Sequence, residues 1–173
     1  MRPHRVGDVG ADPPVHVVET AVALCREKQV EAVVSIGGGS ALDTAKLVAY
    51  LACSDDRLDD IYGVGLAKGQ RLPLLLAPTT AGTGSEVTPI AIVTTPTTEK
   101  KGVVSPRLLP DWAILDPELP LGLPPPVTAA TGIDAMVHTI EGADVAARKV
   151  PRRTVPAPSR SKATRSAKTG ASS

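Results

Sequence analysis

Three short stretches hold residues whose types and spacing could do chemistry. The first is Gly37-Gly38-Gly39-Ser40, directly after an apolar run. Glycines let a backbone approach an anion closely, and the free N–H groups and dipole of a following helix can then hold phosphate oxygens. The stretch is neither GxGxxG nor a Walker A loop, and a tight strand-to-helix turn without a ligand is the alternative. The second is TTAGTGSE, Thr79 to Glu86, where hydroxyls and glycines converge. Such a loop can hydrogen-bond a phosphate, a ribose or a carboxamide; an ordinary Ser/Thr loop with Thr83 or Ser85 as a helix cap is the alternative. The third is Asp134 with His138. A spacing of four puts both on one helical face, and a carboxylate with an imidazole suits Fe²⁺ or Zn²⁺. A first-turn Asp serving the helix dipole beside an incidental His explains that pair equally. A catalytic metal takes about three protein ligands, and the other histidines, His4 and His16, lie far upstream.

The elements that must position these residues are legible from periodicity. Val15, Val18, Val22 and Cys25 recur at three- and four-residue spacing, with Glu19, Arg26, Glu27 and Lys28 on the other side, which predicts an amphipathic helix over 14–28. Ala32 to Ile36 is short and almost wholly apolar, as in a parallel strand buried on both faces. Ser40 is placed to cap a helix through ALDTAKLVAYLA. SDDRLDD reads as a solvated loop and RLPLLLAP as a second buried strand. PIAIVTT and KGVVS, around PTTEK, predict a hairpin; DWAILDP is a further short strand. PELPLGLPPP is a connector too rich in proline for regular helix or central strand, and the chain turns helical again from Val127. This alternation predicts an α/β fold, with the glycine and threonine loops on the same edge of a parallel sheet, which strengthens a nucleotide reading for both.

Composition bounds the rest. With 173 residues and 42% hydrophobic content the chain can bury a core, built from Val, Leu, Ile and Ala because Phe is absent. The formal charge of +1 conceals an acidic body and a basic tail: residues 143–173 hold eight Lys or Arg against one acid, Asp144. That tail has no Leu, Ile, Met or aromatic residue, cannot offset the entropy of ordering, and is expected to be disordered. Its charge could hold a polyanion, but aromatic interleaving is missing and no nucleic-acid partner is expected. Cys25 and Cys53 sit in apolar runs and read as small buried residues of a reducing compartment. The first residues contain no apolar h-region, and no apolar run reaches the ~20 residues of a membrane span, so a cytoplasmic location is expected.

Taken together, SIGGGSALDTAKLVA, APTTAGTGSEVT, LLPDWAILDPEL and ATGIDAMVHTIEG resemble the iron-containing (group III) alcohol dehydrogenases over about residues 12–142. The resemblance implies a partial NAD(P)-binding parallel-sheet domain over 1–121, the start of an all-helical metal-binding domain over 122–142, and the tail from 143. It implies NAD or NADP, with Fe²⁺ or alternatively Zn²⁺, and hydride transfer between an alcohol or aldehyde and the nicotinamide, the metal polarising the substrate oxygen. Members of the family are often homo-oligomers. Matched residue by residue, Gly37, Gly38, Gly39 and Ser40 take the pyrophosphate; Asp43 lies near the nicotinamide; Thr79, Thr80, Thr83 and Lys101 contact the cofactor; Asp134 and His138 are the first two metal ligands; and no separate catalytic side chain is required. The family's first strand, its ribose-binding acidic segment and two further histidine ligands have no counterpart here. The expectation is an inactive fragment, frameshifted at about residue 143; a non-catalytic nucleotide-binding remnant and a maleylacetate-reductase-like member are the alternatives.

Overall fold

The computed structural model describes residues 4–149 apart from 8 and 11, with side-chain surroundings given as far as residue 142. The expected elements form, and they divide into two sheets rather than one. Helix α1 (Val15–Glu27) starts after Pro14 and buries Val18, Ala21 and Val22. Strand β1 (Val33–Gly37) leads through Gly38 into helix α2 (Gly39–Leu51). Strands β2 (Gly63–Val64), β3 (Leu74–Pro78), β4 (Ile90–Thr94), β5 (Lys100–Val104) and β6 (Trp112–Ala113) follow, and helix α3 (Pro125–Lys149) ends the described chain. β1, β3 and β6 form one parallel sheet. β4 and β5 make the antiparallel hairpin, and β2, which no sequence pattern announces, pairs parallel with β5 to complete the second sheet.

Helix α2 holds the two sheets together. Leu42, Ala45 and Ala49 pack with Leu74 and Leu76 of β3. Leu47, Val48, Tyr50 and Leu51 pack with α1, with Ala91, Val93 and Val103 of the hairpin, and with Leu58 and Ile61. Each such aliphatic side chain contributes about 1.5–3 kcal/mol on burial. The Arg26 guanidinium on α1 donates to the carbonyls of Leu51 and Ser54, both at 2.7 Å. It thereby satisfies acceptors that the end of a helix leaves open.

Several expectations are corrected. β1 is buried on one face only: Val34 and Ile36 are 62% and 65% exposed, and no described element covers them. An apolar run cannot by itself distinguish one-sided from two-sided burial. Ser40 does not cap α2; the helix starts one residue before it, with Gly38 at the cap position. Cys25 is half-buried and Cys53 is exposed, because α2 ends at Leu51 and Cys53 falls in the turn beyond. The loop SDDRLDD contains a 3₁₀ turn, Leu58–Asp60, whose Leu58 is buried. The Pro-rich connector likewise forms a 3₁₀ turn at Leu119–Gly122. Helix α3 runs through Lys149, into the stretch expected to be a disordered tail, where Ala143, Ala146 and Ala147 favour helix. Residues 150–173 of that tail lie outside the described residues.

One ion pair fixes β6 beside β3. Arg71 donates to Asp111 at 2.6 and 3.0 Å, and Asp111 also accepts from the Leu74 amide at 2.8 Å. The Arg71 guanidinium holds the Asp111 carboxyl below its ordinary value of 3.8. A carboxyl depressed by folding contributes stability that is complete above its unfolded pKa and is lost as pH falls through the folded value. Asp111→Asn is therefore expected to lower the melting temperature near neutral pH and to flatten its decline below about pH 4. Melting curves of both proteins across that range check this.

Candidate cofactor cradle and metal half-site

The register of β1 on β3 builds the first part of the site. Gly37 pairs with Pro78, and the Thr79 amide donates to the Gly37 carbonyl at 2.8 Å. The glycine and threonine loops thus leave neighbouring parallel strands at their carboxyl ends, where α/β sheets bind ligands. Contact between them is close. A Cβ on Gly37 would stand 2.7 Å from that of Ala41, one on Gly38 3.4 Å from the Thr80 methyl, and one on Gly39 3.2 Å from the Thr83 side chain. The loops nest because Gly38 and Gly39 have no side chain.

This arrangement fits an anion. Among the described residues no side chain caps the N-terminus of α2, so its first amides and the helix dipole face the cradle. The Thr80 hydroxyl is buried beside Gly38 without a hydrogen-bond partner among the described residues. A buried hydroxyl left unpaired costs about 1–3 kcal/mol, a cost that a ligand's acceptor oxygen would remove. Ser40 accepts from the Asp12 amide at 3.3 Å, so the segment before α1 crosses the cradle's rim.

Asp43, one turn into α2, is engaged within the protein. Its Oδ1 accepts from the Ser85 hydroxyl at 2.5 Å and from the Lys46 ammonium at 3.2 Å, and its Oδ2 accepts from the Ile92 amide at 3.0 Å. Lys46 is fully buried. Its ammonium also donates to the Ser85 hydroxyl at 2.9 Å and the Ile90 carbonyl at 2.7 Å, with Thr88 at 3.4 Å. Burial pushes the Lys46 ammonium below its usual pKa range, against the opposing pull of the Asp43 carboxylate. Sequence reading missed Lys46; the available signal was its acid–base spacing of three from Asp43. Lys101 lies on β5, with its ammonium 5.2 Å from the centre of the Tyr62 ring.

Helix α3 brings the second part. Between residues 125 and 142 its part-buried positions are Thr131, Asp134 and Ala135. Thr131 meets the threonine loop: its carbonyl lies 2.2 Å from where a Cβ on Gly82 would be. Asp134 and His138 continue this stripe at helical spacing. His138 Nε2 stands 3.6 Å from Asp134 Oδ1, with the two side chains 60% and 47% exposed. They supply two donors of the right chemistry. Among the described residues no group of three His, Cys, Asp or Glu side chains is placed to hold a metal ion.

Residues 2–117 match the model of the family described as iron-containing alcohol dehydrogenase. The chain belongs to that family. Long-chain-alcohol dehydrogenase 1 of Geobacillus thermodenitrificans is 47% identical over 141 residues, an alignment covering 80% of this chain and 35% of that protein. The sulfoacetaldehyde reductase of Bilophila wadsworthia is 47% identical over 112 residues, 64% of this chain and 29% of its relative. Among solved structures of similar fold, sulfoacetaldehyde reductase from Bifidobacterium kashiwanohense in complex with NAD⁺ has a TM-score of 0.72 at 40% identity, covering 78% of this chain and 36% of the other. A 1,3-propanediol oxidoreductase has a TM-score of 0.73 at 36% identity, covering 76% and 35%. The chain therefore spans roughly a third of the length of these relatives.

The contact between Gly82 and Thr131 is the point where loop and helix meet. Gly82 has φ +144°, a backbone that side chains rarely adopt, and no room for a Cβ. Gly82→Ala is expected to destabilise by more than ~1 kcal/mol through backbone strain alone and to push α3 off the loop. Amide exchange in residues 125–142 should then quicken more than in α1, as hydrogen-exchange mass spectrometry would read.

Proposed function

We propose that this chain carries the dinucleotide cradle and the first two metal donors of an NAD(P)-dependent alcohol dehydrogenase. The observation that carries this reading is the β1–β3 register, which sets Gly37 to Ser40 against Thr79, Thr80 and Thr83 at the open start of α2. The Gly38 and Gly39 backbone and the α2 amides would take the pyrophosphate, with the buried Thr80 hydroxyl a donor beside it. The bound nicotinamide supplies a hydride acceptor or donor. The substrate class is a primary alcohol or its aldehyde, in keeping with the long-chain-alcohol dehydrogenase and sulfoacetaldehyde reductase relatives. Asp43 acts by holding the threonine loop in place, since three protein donors already engage its carboxylate.

Whole family members complete the reaction; this chain supports the binding half of it. Two free cysteines accord with a reducing, cytoplasmic setting. No helix among the described residues is long and apolar enough to cross a membrane.

Titration of the chain with NAD⁺ and NADP⁺ by calorimetry tests this. Saturable binding that does not need added Fe²⁺ or Zn²⁺ is expected, without alcohol-dependent reduction of the nucleotide. Gly39→Asp, which sets a carboxylate in the cradle beside Thr83, should weaken that binding at least ~10-fold, about 1.4 kcal/mol. Equal affinity in the variant, or no binding by the parent chain, removes the nucleotide reading.

A further inference from the structure

We propose that Lys46 is a positioning residue for the nucleotide cradle: its buried ammonium fixes the threonine loop against α2 and so sets where Thr80 and Thr83 stand relative to the glycine loop. The inference rests on the nucleotide reading for its purpose and on geometry alone for its mechanism. Lys46 has three N–H bonds and no solvent around them. They are directed at Asp43 on its own helix, Ser85 in the loop, and the Ile90 carbonyl at the start of β4, with Thr88 close by. Ser85 is bound twice, accepting from Lys46 and donating to Asp43. Every strong partner outside α2 therefore lies between residues 85 and 92, where the threonine loop rejoins the second sheet.

The other rear hold on the loop is Asp43, through Ser85 and Ile92, and Lys46 is the countercharge of that carboxylate. The loop's front end is tied through Thr79 to Gly37. Between Thr80 and Gly84 it turns on glycines with positive φ, Gly82 and Gly84. Removing the ammonium would leave the Asp43 carboxylate buried beside Ser85 without its countercharge, and the loop would lose its rear anchor. A lysine serving only general stability would not have its non-helical acceptors gathered on this one segment.

The test uses the full 173-residue chain. Hydrogen exchange is first read without nucleotide, so that it decides the role of Lys46 whether or not the cradle binds NAD⁺. Lys46→Met is expected to speed exchange in residues 79–92 by at least ~10-fold, while peptides of α1 change less than ~2-fold. Unchanged exchange in 79–92, or an equal rise throughout a chain that stays folded, overturns the proposal. Should Lys46→Met fail to fold, Ser85→Ala, which keeps the Lys46–Asp43 pair, is read by the same criteria. The second arm is NAD⁺ affinity. Ser85→Ala leaves Lys46 and Asp43 each one partner short and lowers the melting temperature; read well below its transition, where it is fully folded, it is expected to bind NAD⁺ about 5–10-fold more weakly, a loss that a purely structural role would not produce. Full affinity with a loosened loop overturns the link to the cradle. Failure of the parent chain to bind NAD⁺ counts against the nucleotide reading, while the exchange comparison still decides whether Lys46 positions the loop.

Discussion

A buried ammonium must be matched by acceptors, or it gives up its proton or destabilises the fold around it. Lys46 meets that condition in the middle of α2, and the rest of the site is arranged by how it does so. Its acceptors come from its own helix, from the threonine loop and from the first residue of β4. One cation thereby ties the parallel sheet's loop to the second sheet through the helix between them. Apolar packing alone would hold α2 against both sheets, but it is non-directional and would not specify where a polar loop rests. Directional bonds to a desolvated charge do specify it, because the cost of leaving any of them unmade is high.

This division of labour explains what could be read in advance. The strands and helices were legible because hydrophobic periodicity reports which residues face a core. The cradle was legible because Gly37 to Ser40 follows a strand and opens a helix, a context in which glycine has a physical purpose. Lys46 has one sequence signal, its spacing of three from Asp43, but a lysine between Ala45 and Leu47 otherwise reads as a solvent-facing break in an apolar helix. Only the tertiary arrangement surrounds it with acceptors. For the same reason β2 was missed: two residues, Gly63 and Val64, become a strand through pairing with β5 and not through their own propensity. The opposite error occurred at Val34 and Ile36, where apolar residues were assigned a cover that no described element provides. The start of α2 was misread in a smaller way. Gly38 takes the cap position with its backbone alone, and that leaves the helix's first amides open where a serine cap would have occupied one of them.

The threonine loop is therefore the part on which the two halves of the site converge. Its first residues lie along the glycine turn, Gly82 bears on helix α3, and Ser85 is held by Lys46 and Asp43. A loop fixed at its rear and pressed at its tip transmits position from the core to whatever contacts it. Helix α3 contacts it at Thr131, one and two turns before Asp134 and His138 on the same stripe. The distance between the cradle and those two side chains is consequently set by backbone against backbone, at a residue with no side chain to yield. In hydride transfer the reacting carbons must approach to about 3–3.5 Å, and rigid supports hold such a distance better than flexible side chains do. Glycine at position 82 thus serves precision of placement rather than flexibility. The strain that its φ would impose on any other residue shows how little freedom the contact allows.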